Sequence, residues 1–291
     1  MRINEAGTIL LNLRTKQIAL VYTENSGHLT FPIGTVKNKE TAQDCAVRIT
    51  KEKTLKDNHL LLTQPIFIFQ YLTSSNQLHE CSIYISIDNN PTVTNATSNL
   101  KLVTLDEVEN FLSDNYLKEK WNTIKRPIND LLNNGGTLSP AILTDLGICS
   151  TCYDRDNNNC IYGDKSDKTL FTNDEFECFF VGNPRSPGHV AILSKKHYKD
   201  MLEIPDDLCS PIFVFAKIMM QILKKVYHAE SIYLCTMCDG PMNHFHIQLI
   251  PRYSYEKRGS SNFVKPRLNY IEDKGKIQSI KEMLHTIQRS E

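Results

Sequence analysis

The sequence has no net charge: 33 Lys and Arg are balanced by 33 Asp and Glu. Bulk electrostatics therefore gives no reason to expect nonspecific binding to DNA or to a membrane surface. It lacks any apolar run near the roughly 18 residues that a membrane span needs. Met1-Arg2-Ile3-Asn4-Glu5 lacks the charged-then-apolar pattern of a signal peptide, so the expected location is the cytosol or the nucleus. No internal repeat is visible. The nine cysteines are an odd number in a chain of 291 residues, too long to be a disulfide-stapled domain. In a reducing compartment they read as small buried hydrophobes, with any close pair a candidate metal site.

What is present divides into two halves. Apolar runs at 8–13 and 18–22, separated by Arg14-Thr15-Lys16-Gln17, predict a β-hairpin. Phe31-Pro32-Ile33-Gly34 reads as a loop. Ala42, Cys45, Ala46 and Ile49 recur at helical spacing and predict a helix over 40–54. Strands are expected over 60–72, 79–87 and 101–104, and helices over 105–113 and 116–132. Asn133-Asn134-Gly135-Gly136 is a strong breaker. It divides a first domain, 1–135, from a second, 147–291, across a linker at 136–146.

In the second half, strands are expected over 176–181, 189–193, 231–237 and 244–250. Helices are expected over 209–228, with Ser210 as cap and Pro211 in the first turn, and over 276–288. This pattern predicts α+β architecture with a largely antiparallel sheet. Asn157-Asn158-Asn159 reads as a loop tip.

The most informative segment is His244-Phe245-His246-Ile247-Gln248-Leu249-Ile250-Pro251-Arg252. Side chains of a strand alternate between faces, so His244, His246 and Gln248 share one face, and Phe245, Ile247 and Leu249 the other. The polar face fits a solvated strand as well as a reactive one. Imidazoles make chemistry attractive, because neutral imidazole is a nitrogen nucleophile near neutral pH and can attack phosphorus.

Residues 149–255 resemble the histidine triad superfamily, whose pattern is His-φ-His-φ-His-φ-φ with φ apolar. Gln248 stands where the third histidine would be. The His-x-His-x-Gln form resembles the transferase branch that includes galactose-1-phosphate uridylyltransferase and the diadenosine tetraphosphate phosphorylases. Pro187-Gly188-His189-Val190 through Ser194-Lys195-Lys196-His197 is similar to the superfamily's stretch upstream of the strand, and Gly240 falls where the family has a glycine. The resemblance implies His246 as nucleophile and Gln248 as its catalytic neighbour and phosphate partner. Asn183, His189, Gly240 and Arg252 are the further substrate contacts expected. It also implies a nucleotide substrate, either a dinucleoside polyphosphate or a nucleotide sugar, and a homodimer. Glutamine cannot supply an acidic proton to a leaving group, which favours transfer to a second phosphate over hydrolysis.

Cys149-x-x-Cys152 has the gap that lets two thiolates bind one zinc ion. By resemblance to the uridylyltransferase branch, His197 and His244 complete a structural Zn²⁺ site, with Cys160 as a spare ligand. Packed thiols, with His244 on substrate, are the alternative.

In the first half, Gly34-x5-Glu40-x7-Arg48-Ile49-Thr50-Lys51-Glu52-Lys53 resembles the Nudix box, which implies a Nudix-like α/β/α sandwich over about residues 5–130. The box's glutamate after the arginine is Ile49 here, its last glutamate is Lys53, and its final glycine is Leu55. A cation in a cluster meant for carboxylates repels Mg²⁺, which wants oxygen ligands. The expectation is a degenerate domain that holds no Mg²⁺ and has no Nudix hydrolase activity, with Glu40 and Arg48 kept as an ion pair. Two other readings stand beside the enzyme. One is a non-catalytic, regulatory binder of nucleotides or capped RNA. The other is an active Nudix enzyme using Asp106, Glu107 or Glu109. The basic stretch 252–267, with interleaved aromatics, reads as a solvated loop or as a phosphate contact beside the site.

Overall fold

The computed structural model describes residues 2–23, 27–73, 75–89, 99–157, 161–162, 167–237, 240 and 242–288. The chain divides into two compact units, 1–148 and 149–291. No helix among the described residues is long and apolar enough to cross a membrane.

The first unit is built on β1 (Ile3–Asn12), which pairs antiparallel with β2 (Gln17–Tyr22), the expected hairpin. Short strands β3 (Leu29–Thr30) and β4 (Ile33–Thr35) follow. The segment expected as a loop at 31–34 thus enters the sheet, with β4 antiparallel to β1. Gly34 makes this feasible, because a Cβ there would sit 2.4 Å from the Ile49 side chain of α1 (Ala42–Thr54). Thr41 caps α1 by accepting from the Asp44 N–H, and the helix buries Cys45, Ala46 and Ile49. The strand expected over 60–72 is two strands, β5 (Asn58–Leu60) and β6 (Phe67–Leu72). Pro65, which has no N–H for a ladder, lies between them. Then come β7 (Leu78–Asp88), parallel to β1, and β8 (Leu100–Thr104), antiparallel to β2.

The helix expected over 105–113 shrinks to α2 (Val108–Phe111), and α3 (Asn115–Asn133) follows, capped by Asp114. Trp121 of α3 is fully buried, its ring 6.1 Å from that of Phe31. The expected linker at 136–146 contains helix α4 (Pro140–Asp145), and the first unit runs on to Ile148. Ser139 caps this helix, Pro140 suits its first position, and Ile142 and Leu143 are buried.

The second unit opens with α5 (Ser150–Asn157). Its sheet consists of β9 (Thr169–Thr172), β10 (Phe176–Phe180), β11 (Val190–Ser194), β12 (Ser231–Cys235) and β13 (His246–Arg252). The order is β12-β13-β11-β10-β9, and every pair is antiparallel. Helix α6 (Asp206–Tyr227) lies between β11 and β12 in sequence; α7 (Ser261–Val264) and α8 (Lys274–Gln288) follow β13. α6 starts at Pro205-Asp206-Asp207 rather than at Ser210, so Pro211 falls inside the helix. Two acids in the first turn suit the positive end of the helix dipole, and only one backbone N–H is missing at Pro211.

One face of this sheet is dry. Phe245, Ile247 and Leu249 are fully buried with Ile192, Cys178, Met219 and Ile222 of the same core. Each large apolar side chain so buried contributes roughly 1.5–3 kcal/mol. The strand pattern therefore fixes the opposite face as the one that carries His246 and Gln248.

Candidate functional site: a histidine–glutamine relay beside a four-ligand cluster

Strand register assembles the site. Gln248 stands opposite Ala191 and His246 opposite Leu193, while Phe179 stands opposite Ala191 on the next strand. These five residues line one cavity of about 440 Å³, together with Lys168, Asn183 and Arg267. Tyr162, Thr151 and Gly182 also reach it. The lining combines aromatic and apolar side chains with the His246 imidazole, the Gln248 amide and two cations, Lys168 and Arg267.

A chain of hydrogen bonds fixes the proton positions. The Arg185 backbone N–H donates to His189 Nδ1 at 3.0 Å. A main-chain amide can only donate, so the His189 proton sits on Nε2. That nitrogen lies 3.1 Å from Gln248 Oε1. The Gln248 amide nitrogen therefore faces His246, at 3.0 Å from Nε2. On the other side of the ring, His246 Nδ1 lies 2.8 Å from the His244 carbonyl oxygen and must carry the proton. Neutral His246 thus presents its Nε2 lone pair toward the Gln248 side, at the cavity. His189 is fully buried, and burial first, then Arg267, pushes its pKa down to about 3, which keeps it neutral. His189 does not line the cavity; it sets the Gln248 amide from beneath.

Gly240 and Arg252, both expected to touch substrate, are not among the cavity-lining residues. Gly240 takes a left-handed φ of 83°. The Arg252 guanidinium is buried and committed elsewhere. It pairs with Glu230 at 2.7 Å and donates to Ser231 Oγ at 3.1 Å and to the carbonyls of Tyr253 and Glu256. Asn183 does line the cavity. Lys168 and Arg267 were missed by sequence reasoning as individual site residues, although Arg267 closes the basic stretch noted above.

His244 lies just before β13 and does not line the cavity. Its Nε2–H donates to the Ser194 carbonyl at 2.7 Å, leaving Nδ1 as a free lone pair. That nitrogen lies 3.4 Å from Cys149 Sγ, 3.5 Å from Cys152 Sγ and 3.3 Å from His197 Nδ1. Cys152 Sγ lies 3.5 Å from His197 Nδ1. All four ligand atoms fall within 4.8 Å of one another, and the set could hold a metal ion. Topology explains the meeting: His197 follows β11, His244 precedes β13, and those strands pair antiparallel. Tetrahedral bonds of the length usual for zinc give N···N edges of about 3.3 Å and S···N edges of about 3.6 Å, so the donor set fits. A hydrogen bond from Cys152, and then one from His244, lowers the Cys149 thiol, while that same bond to Cys149 and then burial raise the Cys152 thiol. A dication between them would stabilise both thiolates. Cys160, the spare ligand, lies outside the described residues.

In the first unit, Arg48 holds Glu40 through two bonds, at 2.6 and 2.8 Å, and reaches Glu52 at 3.1 Å. The guanidinium beside it lowers the Glu40 carboxyl to about 2. The expected ion pair is present, and it draws in Glu52 as well.

Comparison with known proteins falls on the second unit. A family model described as HIT domain matches residues 163–255. An uncharacterized HIT-like protein of Methanocaldococcus jannaschii is 30% identical over 96 residues, 32% of this chain and 74% of the relative. The chain belongs to the HIT family. A second HIT-like relative, an uncharacterized protein of Saccharolobus solfataricus, is 24% identical over 110 residues, 36% of this chain and 79% of its own length. Solved structures similar to this HIT protein include a zinc-bound histidine triad family protein from Mycobacterium smegmatis, at 14% identity and a TM-score of 0.39, covering 49% of this chain and 97% of that one. Another is a C. elegans Ap4A hydrolase, at 18% identity and a TM-score of 0.37, covering 41% and 92%.

Proposed function

We propose that the second unit is a nucleotidyl hydrolase or transferase that works through a covalent nucleotidyl-histidine, with dinucleoside polyphosphates or nucleotide sugars as substrates. The observation that carries this reading is the proton order of the relay, which leaves His246 Nε2 unprotonated at the cavity. The Nε2 lone pair attacks the phosphorus of the bound nucleotide, and the phosphorus–oxygen bond to the leaving group breaks, its electron pair departing with that oxygen. The proton stays on Nδ1, hydrogen-bonded to the His244 carbonyl, which stabilises the positive charge that the ring gains as the bond to phosphorus forms. An acceptor, phosphate or water, then attacks phosphorus and releases His246. The Gln248 amide turns one N–H to a phosphate oxygen as negative charge grows there. It has no acidic proton to give, which favours leaving groups that depart as stable anions.

The four-ligand cluster is read as a structural Zn²⁺ site. Four protein ligands leave no open position for water, and the ion would tie the start of α5 to the entrance of β13. The first unit is read as a Nudix-like domain without Nudix hydrolase activity, supported by Ile49 and Lys53 standing where the box carries glutamates.

The experiment is mass spectrometry of the intact protein after brief exposure to diadenosine tetraphosphate and, separately, to a nucleotide sugar. Wild type is expected to gain one nucleotidyl group, and His246→Ala none. Equal turnover by the His246→Ala protein would overturn the proposal.

A further inference from the structure

We propose that Arg267 grips the phosphates of the leaving group, so that the site selects substrates with a phosphate chain beyond the phosphorus that His246 attacks. The proposal rests on the nucleotidyl-transfer reading and concerns a segment outside the part of the chain that the HIT family model matches.

Arg267 lies in the irregular stretch 265–273, between α7 and α8. This stretch lies across the loop that leads into β11. The Leu268 N–H donates to the Pro184 carbonyl at 2.7 Å, and Arg185 donates to the Lys265 carbonyl. At the far end, the Glu272 carboxylate accepts from the Gly188 N–H at 2.9 Å and from the Tyr227 hydroxyl. So fastened, the stretch places Arg267 at the cavity edge, where it donates to the Asn183 carbonyl at 3.0 Å. Lys168 lines the same cavity, and its Nζ lies 3.6 Å from where a Cβ on Gly182 would stand.

The charges there are unbalanced. Among the described residues, no carboxylate pairs with Arg267, Lys168 or Arg185. The Arg185 Nε is buried without a hydrogen-bond partner. Burial and the neighbouring Arg185 both lower the Arg267 pKa, as expected for a cation without a counter-ion. Among the described residues, only one of the five N–H donors of Arg267 has a protein partner. A structural arginine would resemble Arg252, with its fork filled by a carboxylate and carbonyls. Arg267 instead keeps donors and charge available in the cavity that holds His246. One attacked phosphate beside His246 and Gln248 does not need two more cations; a polyphosphate leaving group does.

The test is calorimetric binding to the full-length protein of AMP, ATP and inorganic tripolyphosphate, with Arg267→Ala and Arg267→Lys as variants. Wild type is expected to bind ATP and tripolyphosphate. Arg267→Ala should weaken both about tenfold or more, the loss of a charge-assisted hydrogen bond, while AMP affinity changes less than about twofold. Arg267→Lys should recover part of the loss. Equal losses for AMP and tripolyphosphate, no loss for either, or no tripolyphosphate binding by wild type would each overturn the grip. Tripolyphosphate binding that depends on Arg267, in a protein that forms no adduct at His246, would leave the grip standing and sink the nucleotidyl-transfer reading instead.

Discussion

Gln248 covers the lone pair of His246: the amide nitrogen sits 3.0 Å from Nε2, the atom proposed to attack phosphorus. The free site is thus held closed by its own phosphate donor, and substrate must exchange that bond for one to a phosphate oxygen. Removing the amide should free the nucleophile yet remove the donor that matters as charge develops. Gln248→Ala is therefore expected to lower kcat by about 10²–10³ with little change in KM. Gln248→Glu should lose more, because its carboxylate faces the phosphate and cannot donate. Steady-state rates for the two variants check this, and an unchanged kcat for Gln248→Ala would remove Gln248 from the chemistry.

The residue beneath predicts an acid-side loss of stability. His189 is buried neutral, its pKa pushed down to about 3. In the unfolded chain it takes a proton near pH 6.5. Between those values the unfolded state binds more protons, so stability falls as pH falls through that window, by up to about 1.4 kcal/mol per pH unit. From pH 6.5 to 5, wild type should lose roughly 2 kcal/mol more than His189→Gln in denaturant unfolding. Parallel pH profiles for the two proteins would show that His189 is not held neutral.

Much of this site is legible in the sequence because the rules that carry it are local. Alternation along 244–249 separates the dry face from the polar one, and the close spacing of Cys149 and Cys152 puts two thiols on one turn. What is not legible depends on which segments meet. Arg252 shares a face with His246 and Gln248, yet pairing of β12 with β13 sets Ser231 opposite it and brings Glu230 within reach. Arg267 reaches the cavity because its stretch, which has no period, is fastened to the loop before β11 by Leu268, Lys265 and Glu272. The break at Pro65 was readable from the missing N–H alone, whereas the start of α6 at Pro205 was masked by an equally good cap signal at Ser210-Pro211.

The cluster of Cys149, Cys152, His197 and His244 predicts a bound metal with a measurable stability effect. The purified protein should contain about one zinc per chain, and Cys152→Ser should lose it. Chelation should lower the unfolding temperature of wild type but leave Cys152→Ser unchanged, because a structural metal contributes its binding free energy to folding. Metal analysis finding no zinc in protein purified without chelator would remove the ion from the account.

Gly188 holds the turn between the loop and β11 at a φ of 78°, and a Cβ there would stand 2.9 Å from the Tyr227 ring. Gly188→Ala combines backbone strain with a clash in the core. It is expected to destabilise the second unit by about 1–3 kcal/mol. It should also loosen the Glu272 bond to the Gly188 N–H. Chemical denaturation measures the first effect, and stability within about 0.5 kcal/mol of wild type would show that the turn relaxes freely.

Arg48 gives the first unit a charge arrangement that can be separated from catalysis. Its guanidinium lowers the Glu40 carboxyl to about 2, below the usual carboxylate value near 4.5. The folded-state pKa is depressed, so this contribution to stability is present above the unfolded value and lost as pH falls through about 2. Arg48→Ala should lower thermal stability at pH 7 and flatten its dependence on acid. Glu52 keeps its carboxylate, but Ile49 and Lys53 stand where a Nudix metal site would have further carboxylates. Glu52→Gln should consequently leave every hydrolytic rate unchanged, with or without added Mg²⁺. A Mg²⁺-dependent pyrophosphate hydrolysis that disappears on Glu52→Gln while surviving His246→Ala would mean that the first unit is a working enzyme after all.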